Sequence, residues 1–117
     1  MAEYGRQDPG EPYRRISVEE ASEMQANGAI IVDVRNEDEW VAGHVRGAVF
    51  ITLDDIITEA ESLLPKDQDL LFICAAGVRS GLACEMASAI GFGNDHLYNI
   101  EQGTPVWIQK GLPTDLG

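Results

Sequence analysis

Two short runs, Ala29-Ile30-Ile31-Val32-Asp33-Val34 and Leu70-Leu71-Phe72-Ile73, limit what this chain can become. Each is almost continuously apolar rather than alternating, the pattern of a strand covered on both faces. Similar runs alternate along the chain with helical patterns, which points to an α/β domain with a mostly parallel sheet. Strands are expected at residues 13–16, 29–34, 48–51, 70–73 and 96–100, with 48–51 buried like the central pair. Ser17 and Glu20 have the spacing of a capping box, ahead of Val18, Ala21 and Met24 at helical intervals. Residues 37–41 read as a short helix broken by Gly43. Leu53, Ile56, Ile57, Ala60, Leu63 and Leu64 line one face of the clearest helix, between a Thr52 cap and a Pro65 stop. Helices are also expected over 80–90, ended by Gly91 and Gly93, and over 105–110, with Pro105 first and Gly111 after it.

A chain of 117 residues supports one domain, expected over 13–117, behind a polar tail over 1–12 expected to be flexible. No apolar run approaches the roughly 18 residues that span a bilayer, and the opening residues lack the basic start and apolar stretch of a signal peptide. A cytoplasmic location is the default expectation. Twenty acidic against eight basic residues give a net charge of −12, which disfavours nucleic acid and anionic membranes as partners. With only Cys74, Cys84, His44 and His96, neither a metal site nor a disulfide framework is expected, and no cofactor is implied.

Chemistry concentrates in Cys74-Ala75-Ala76-Gly77-Val78-Arg79-Ser80, between a buried strand and a helix, where open α/β sheets place ligand sites. Small residues let the backbone curl so that successive N–H groups converge, and the helix adds its positive end. A sulfur there is stabilised as an anion, which favours nucleophilic attack and a covalent intermediate on sulfur. The plainer reading of Cys74 is a small apolar residue ending a core strand. Arg79 offers a permanent charge and a planar donor fork for an oxyanion, against the alternative of a surface salt bridge.

This loop occurs with Asp33-Val34-Arg35 followed by Glu39, with Gly43-His44-Val45-Arg46-Gly47-Ala48, and with the segment from Asn99 to Trp107 followed by Gly111-Leu112-Pro113. Together, in this order and over roughly residues 13 to 115, they resemble the rhodanese (sulfurtransferase) domain. The resemblance implies a rhodanese-like three-layer domain, its central, mostly parallel sheet of about five strands flanked by helices. It also implies that Cys74 is the nucleophile and persulfide carrier, cradled by the backbone N–H groups of Ala75, Ala76, Gly77, Val78, Arg79 and Ser80. Sulfane sulfur would pass from thiosulfate, a small persulfide or a protein donor to a thiol or cyanide acceptor. A regulatory or relay module that turns over little, and a cysteine redox sensor, are the alternatives.

Two departures from the family pattern bear on this. The loop has only Arg79 as a cation in an acidic protein, so thiosulfate, a dianion, is expected to be a poorer donor than a persulfide. Glu101-Gln102-Gly103 stands where relatives often have paired glycines, with an expected effect on local loop shape alone. Phosphatases sharing this fold place five residues between Cys and Arg. Here four separate Cys74 from Arg79, a cradle suited to one sulfur and cramped for a phosphoryl group.

Asp33 and Arg35 are read as supports of the site, with Asp33 accepting loop hydrogen bonds and Arg35 pairing with Glu39. His44 is read as satisfied by backbone in a turn. Trp40 and Trp107 are read as packing residues, with a place lining the site entrance as the alternative for Trp107. Cys84 is a packing thiol, with a resolving thiol as the alternative.

Overall fold

The computed structural model describes residues 4–117, and in it the two apolar runs lie side by side at the centre of the domain. In chain order the elements are β1 (Arg14–Ile16), α1 (Val18–Ala26), β2 (Ile30–Asp33), α2 (Glu37–Ala42), β3 (His44–Val45), β4 (Val49–Phe50) and α3 (Leu53–Leu63). There follow β5 (Leu70–Ile73), α4 (Val78–Ala89), a 3-10 turn (Asn94–His96), β6 (Leu97–Ile100), α5 (Gly103–Gln109) and β7 (Thr114–Asp115).

The main sheet has five strands in the order β1-β6-β5-β2-β4, every neighbour parallel. Alternate side chains of β5 divide between two cores. Leu70, Phe72 and the following Cys74 pack with Ile56 and Ala60 of α3 and with Ala83, Cys84 and Ala87 of α4. Leu71 and Ile73 pack on the other side with Val18, Ala21 and Met24 of α1 and with Trp107 of α5. Helix, sheet and helix thus form three layers, the expected fold class.

Ser17 caps α1 as its spacing predicts. Its Oγ accepts the Glu20 N–H at 3.1 Å, and the Glu20 carboxylate accepts the Ser17 N–H at 3.0 Å. Ser17→Ala is expected to cost about 1 kcal/mol, read in thermal unfolding as a fall in Tm of roughly 4 °C.

Four expectations change. β4 is an edge strand, not a buried one: among the described residues it pairs only with β2, and Val49 is 42% exposed. β6 is not the last strand, because β7 closes a small antiparallel pair with β3, setting His44 opposite Asp115. α5 begins at Gly103 rather than Pro105, and α4 at Val78 rather than Ser80, so Arg79 and Ser80 sit in its first turn. Of the expected tail, residues 1–3 lie outside the described residues, and the next few dock against the domain. Arg6 bridges to Arg15 through both backbone groups, Tyr4 Oη donates to Glu23, and the Gly5 N–H donates to Glu20.

Candidate active site

Cys74 directly follows β5, between β2 and β6, at the carboxyl ends of the parallel strands. The chain must then reverse into α4 within three residues. Gly77 makes this possible at φ +89°, in the left-handed region, and serves as N-cap. The segment after β6 braces the turn from behind: the Thr104 N–H donates to the Cys74 carbonyl at 2.9 Å, and a side chain on Gly77 would meet the Glu101 carbonyl.

Cys74 is only 1% exposed. Its Sγ accepts the Gly77 N–H at 3.1 Å and lies 3.3 Å from Ser80 Oγ. Burial pushes the thiol up. The Ser80 hydroxyl and the backbone N–H groups of Ser80, Ala76 and Gly77 act the other way and prevail, leaving the pKa below its ordinary value. Of the expected loop residues, Gly77 donates its N–H to the sulfur, and the N–H groups of Ala76 and Ser80 help to lower its pKa. Val78 is instead 80% exposed at the start of α4.

Arg79 does not stand free. Its guanidinium donates to both Glu39 carboxylate oxygens, at 2.7 and 2.9 Å. Hydrogen bonding to Arg79 brings the Glu39 carboxyl down to about 2, so the pair stays ionised at any working pH. Arg35, expected to pair with Glu39, instead turns back on Asp33 at 2.8 Å and reaches the Gly43 carbonyl at 2.8 Å. The reason is burial: the fully buried Asp33 carboxylate needs a cation, and Arg35 lies beside it. Asp33 also accepts the Arg35 N–H at 3.0 Å. Both residues therefore hold the strand end and α2 in place.

His44 Nδ1 lies 2.8 Å from the Trp40 carbonyl, and its ring stacks on Trp40 at 3.5 Å, the backbone-satisfied residue expected. Trp107 is fully buried, with Nε1 donating to the Pro113 carbonyl, so it packs α5 rather than lining an entrance. Cys84 is fully buried in α4, and burial pushes its thiol well above the ordinary range. Glu101 and Gln102 do more than shape their loop. Glu101 takes both arms of the Arg6 guanidinium at 2.8 and 3.0 Å, and Gln102 Oε1 accepts the Val18 N–H at the start of α1.

Asn99 and Thr104 belong to the Asn99–Trp107 motif, but the sequence reading gave neither a role at the site. Asn99 is fully buried in β6, where it accepts from Ser80 and donates to the Gly77 carbonyl. Its signal was available: one amide inside an otherwise apolar run, next to no turn that would explain it.

A family model described as rhodanese-like domain matches residues 17–110. The chain is 33% identical over 98 residues to the thiosulfate sulfurtransferase GlpE of Pseudomonas entomophila, covering 81% of this chain and 84% of that protein. It is 35% identical over 83 residues to the putative sulfurtransferase YtwF of Bacillus subtilis, covering 71% and 77%. The crystal structure of a rhodanese-related protein from Thermoplasma volcanium superposes with a TM-score of 0.78 at 28% identity, over 90% of this chain and 100% of that one.

Proposed function

The chain belongs to the rhodanese-like domain family, and on that premise we propose that Cys74 carries sulfane sulfur, as a persulfide, from a donor to a thiol acceptor. The observation that supports this most is the sulfur's setting, buried and held by the Gly77 N–H at 3.1 Å in a loop that lowers its pKa. The Cys74 thiolate attacks the outer sulfur of the donor. A sulfur–sulfur bond forms, the donor's own breaks, and its electron pair departs with the leaving thiolate or sulfite. An acceptor thiolate then attacks the outer sulfur of the persulfide and returns Cys74 as thiolate. No electrons are gained or lost overall, so no cofactor enters. A reducing cytoplasm, the compartment expected from the sequence, holds such acceptors.

The same geometry argues against a phosphoryl substrate. The loop is one residue short for that task, and the Arg79 fork is occupied by Glu39.

Intact mass spectrometry tests the reading. Treatment with a low-molecular-weight persulfide, or with thiosulfate, is expected to add one sulfur atom that cyanide removes. No adduct with either donor would overturn it.

The Arg79–Glu39 pair bears on the choice of donor. With its charge cancelled, Arg79 offers a thiosulfate dianion little, in line with the preference for persulfides expected from the sequence. Glu39→Gln is therefore expected to raise kcat/KM for thiosulfate by about tenfold, and for a persulfide by clearly less. Steady-state kinetics with both donors checks this; equal gains would remove Glu39 from donor selection.

A further inference from the structure

The hydrogen bonds behind Cys74 leave one proton with two claimants. The Gly77 carbonyl can only accept, so the Asn99 atom 3.0 Å from it is Nδ2. The atom facing Ser80 Oγ at 2.6 Å is then Oδ1, which also can only accept. Ser80 therefore spends its single hydroxyl proton on Asn99. Toward Cys74 Sγ, 3.3 Å away, Ser80 presents lone pairs alone, and the sulfur must be the donor. The chain Cys74→Ser80→Asn99→Gly77 is complete for a thiol and fails for a thiolate, which needs to receive.

We propose that Asn99 is a positioning residue for the nucleophile: it holds the Ser80 proton while sulfur is protonated and yields it to sulfur when the thiolate forms. The step is a rotation about the Ser80 Cβ–Oγ bond, not a relay, because an amide oxygen does not take up the proton. The thiol proton itself leaves for solvent or substrate. Release of the Ser80 proton leaves Oδ1 without a partner in a buried site, and that cost favours the thiol. When sulfur is loaded, the charge moves to the outer atom and the Ser80 proton can return to Asn99. Asn99 thereby holds back the thiolate of the unloaded enzyme, while its amide keeps Gly77 in the turn that supplies the 3.1 Å N–H.

Charged groups at this end of the sheet are already paired, which leaves Ser80 as the adjustable contact. Arg79 of α4 stands with Glu39 of α2, Asp33 of β2 with Arg35, Glu101 after β6 with Arg6, and Glu11 with Arg15 while accepting the Tyr13 Oη proton beside Gly81.

The inference takes Cys74 as the reacting thiol, but its test reads ionisation alone and so is independent of sulfur transfer. Thiolate ultraviolet absorbance would be followed against pH, with Cys74→Ser as blank; Cys84 is silent because burial holds it protonated. Asn99→Ala frees the Ser80 proton, and the Cys74 midpoint is expected to fall by about one pH unit. In a Ser80→Ala background the same substitution should no longer lower the midpoint, because only the loosened Gly77 turn remains to act on it. A shift of equal size in both backgrounds, or an upward shift with Ser80 present, overturns the proposal. Asn99→Leu conserves size, cannot hold the Ser80 proton and is likewise expected to lower the midpoint. That variant carries the test alone if Asn99→Ala does not fold, and an unmoved midpoint overturns the proposal.

Discussion

In Cys74→Ser, sulfur loading and transfer are expected to fall below detection while the fold survives. A serine hydroxyl in the same cradle does not reach the ionised state that a thiol reaches, and oxygen forms no stable counterpart of a persulfide. The cradle itself persists, because the Gly77 N–H and Ser80 remain in place for the smaller atom. The stability cost should be small, about 1 kcal/mol for the slight void beside Phe72 and Ala83. Intact mass after persulfide treatment, with a thermal melt beside it, separates the two effects. Retained loading would move the nucleophile elsewhere, and among the described residues the other thiol, Cys84, is fully buried and held protonated.

Gly103→Ala is expected to produce the largest loss of stability among the glycine substitutions. Gly103 sits at φ +80°, where an L side chain is strained, and its Cβ would collide with the Ala75 carbonyl oxygen and stand 2.9 Å from that of Cys74. Backbone cannot swing aside as a flexible side chain can, so the segment after β6 must retreat from the loop. The Thr104 bonds to the Cys74 carbonyl then lengthen, and the sulfur loses its brace. Strain and clash together should exceed about 3 kcal/mol, a fall in Tm of roughly 10 °C or more. Gly111→Ala is the control. Its φ of +74° carries similar strain, but nothing lies within 4 Å of the added carbon. A cost there of only about 1 kcal/mol would assign the excess at Gly103 to contact with the loop.

What could be read from the sequence was set by how local the governing physics is. The capping box spans four residues, and the central strands announce themselves by unbroken apolar runs, so α1, β2 and β5 fell where expected. β3 and β7 have two residues each and exist only by pairing across the chain, which leaves no periodic trace. Ion pairing failed for the same reason. Glu39 lies four residues from Arg35, the spacing that invites a helical pair, yet it meets Arg79, forty positions on. Folding brings α2 to the first turn of α4, and no local rule contains that approach. Around Cys74 the loop was legible because its small residues and strand–helix setting are contiguous. Its supports, Asn99 and Thr104, come from another strand and another helix.

That separation has a consequence for the order in which the protein comes into being. Chains emerge from the ribosome amino end first, so Cys74 and its turn are made well before Asn99 and Thr104. Until those residues arrive, the Cys74 carbonyl and the Ser80 hydroxyl lack their native partners and nothing fixes the Gly77 turn. Between those two points the nascent chain carries an ordinary thiol. If Cys74 carries sulfur as proposed, its reactivity switches on only when the later segment docks behind the loop, so that the cradle is complete before the cysteine picks anything up.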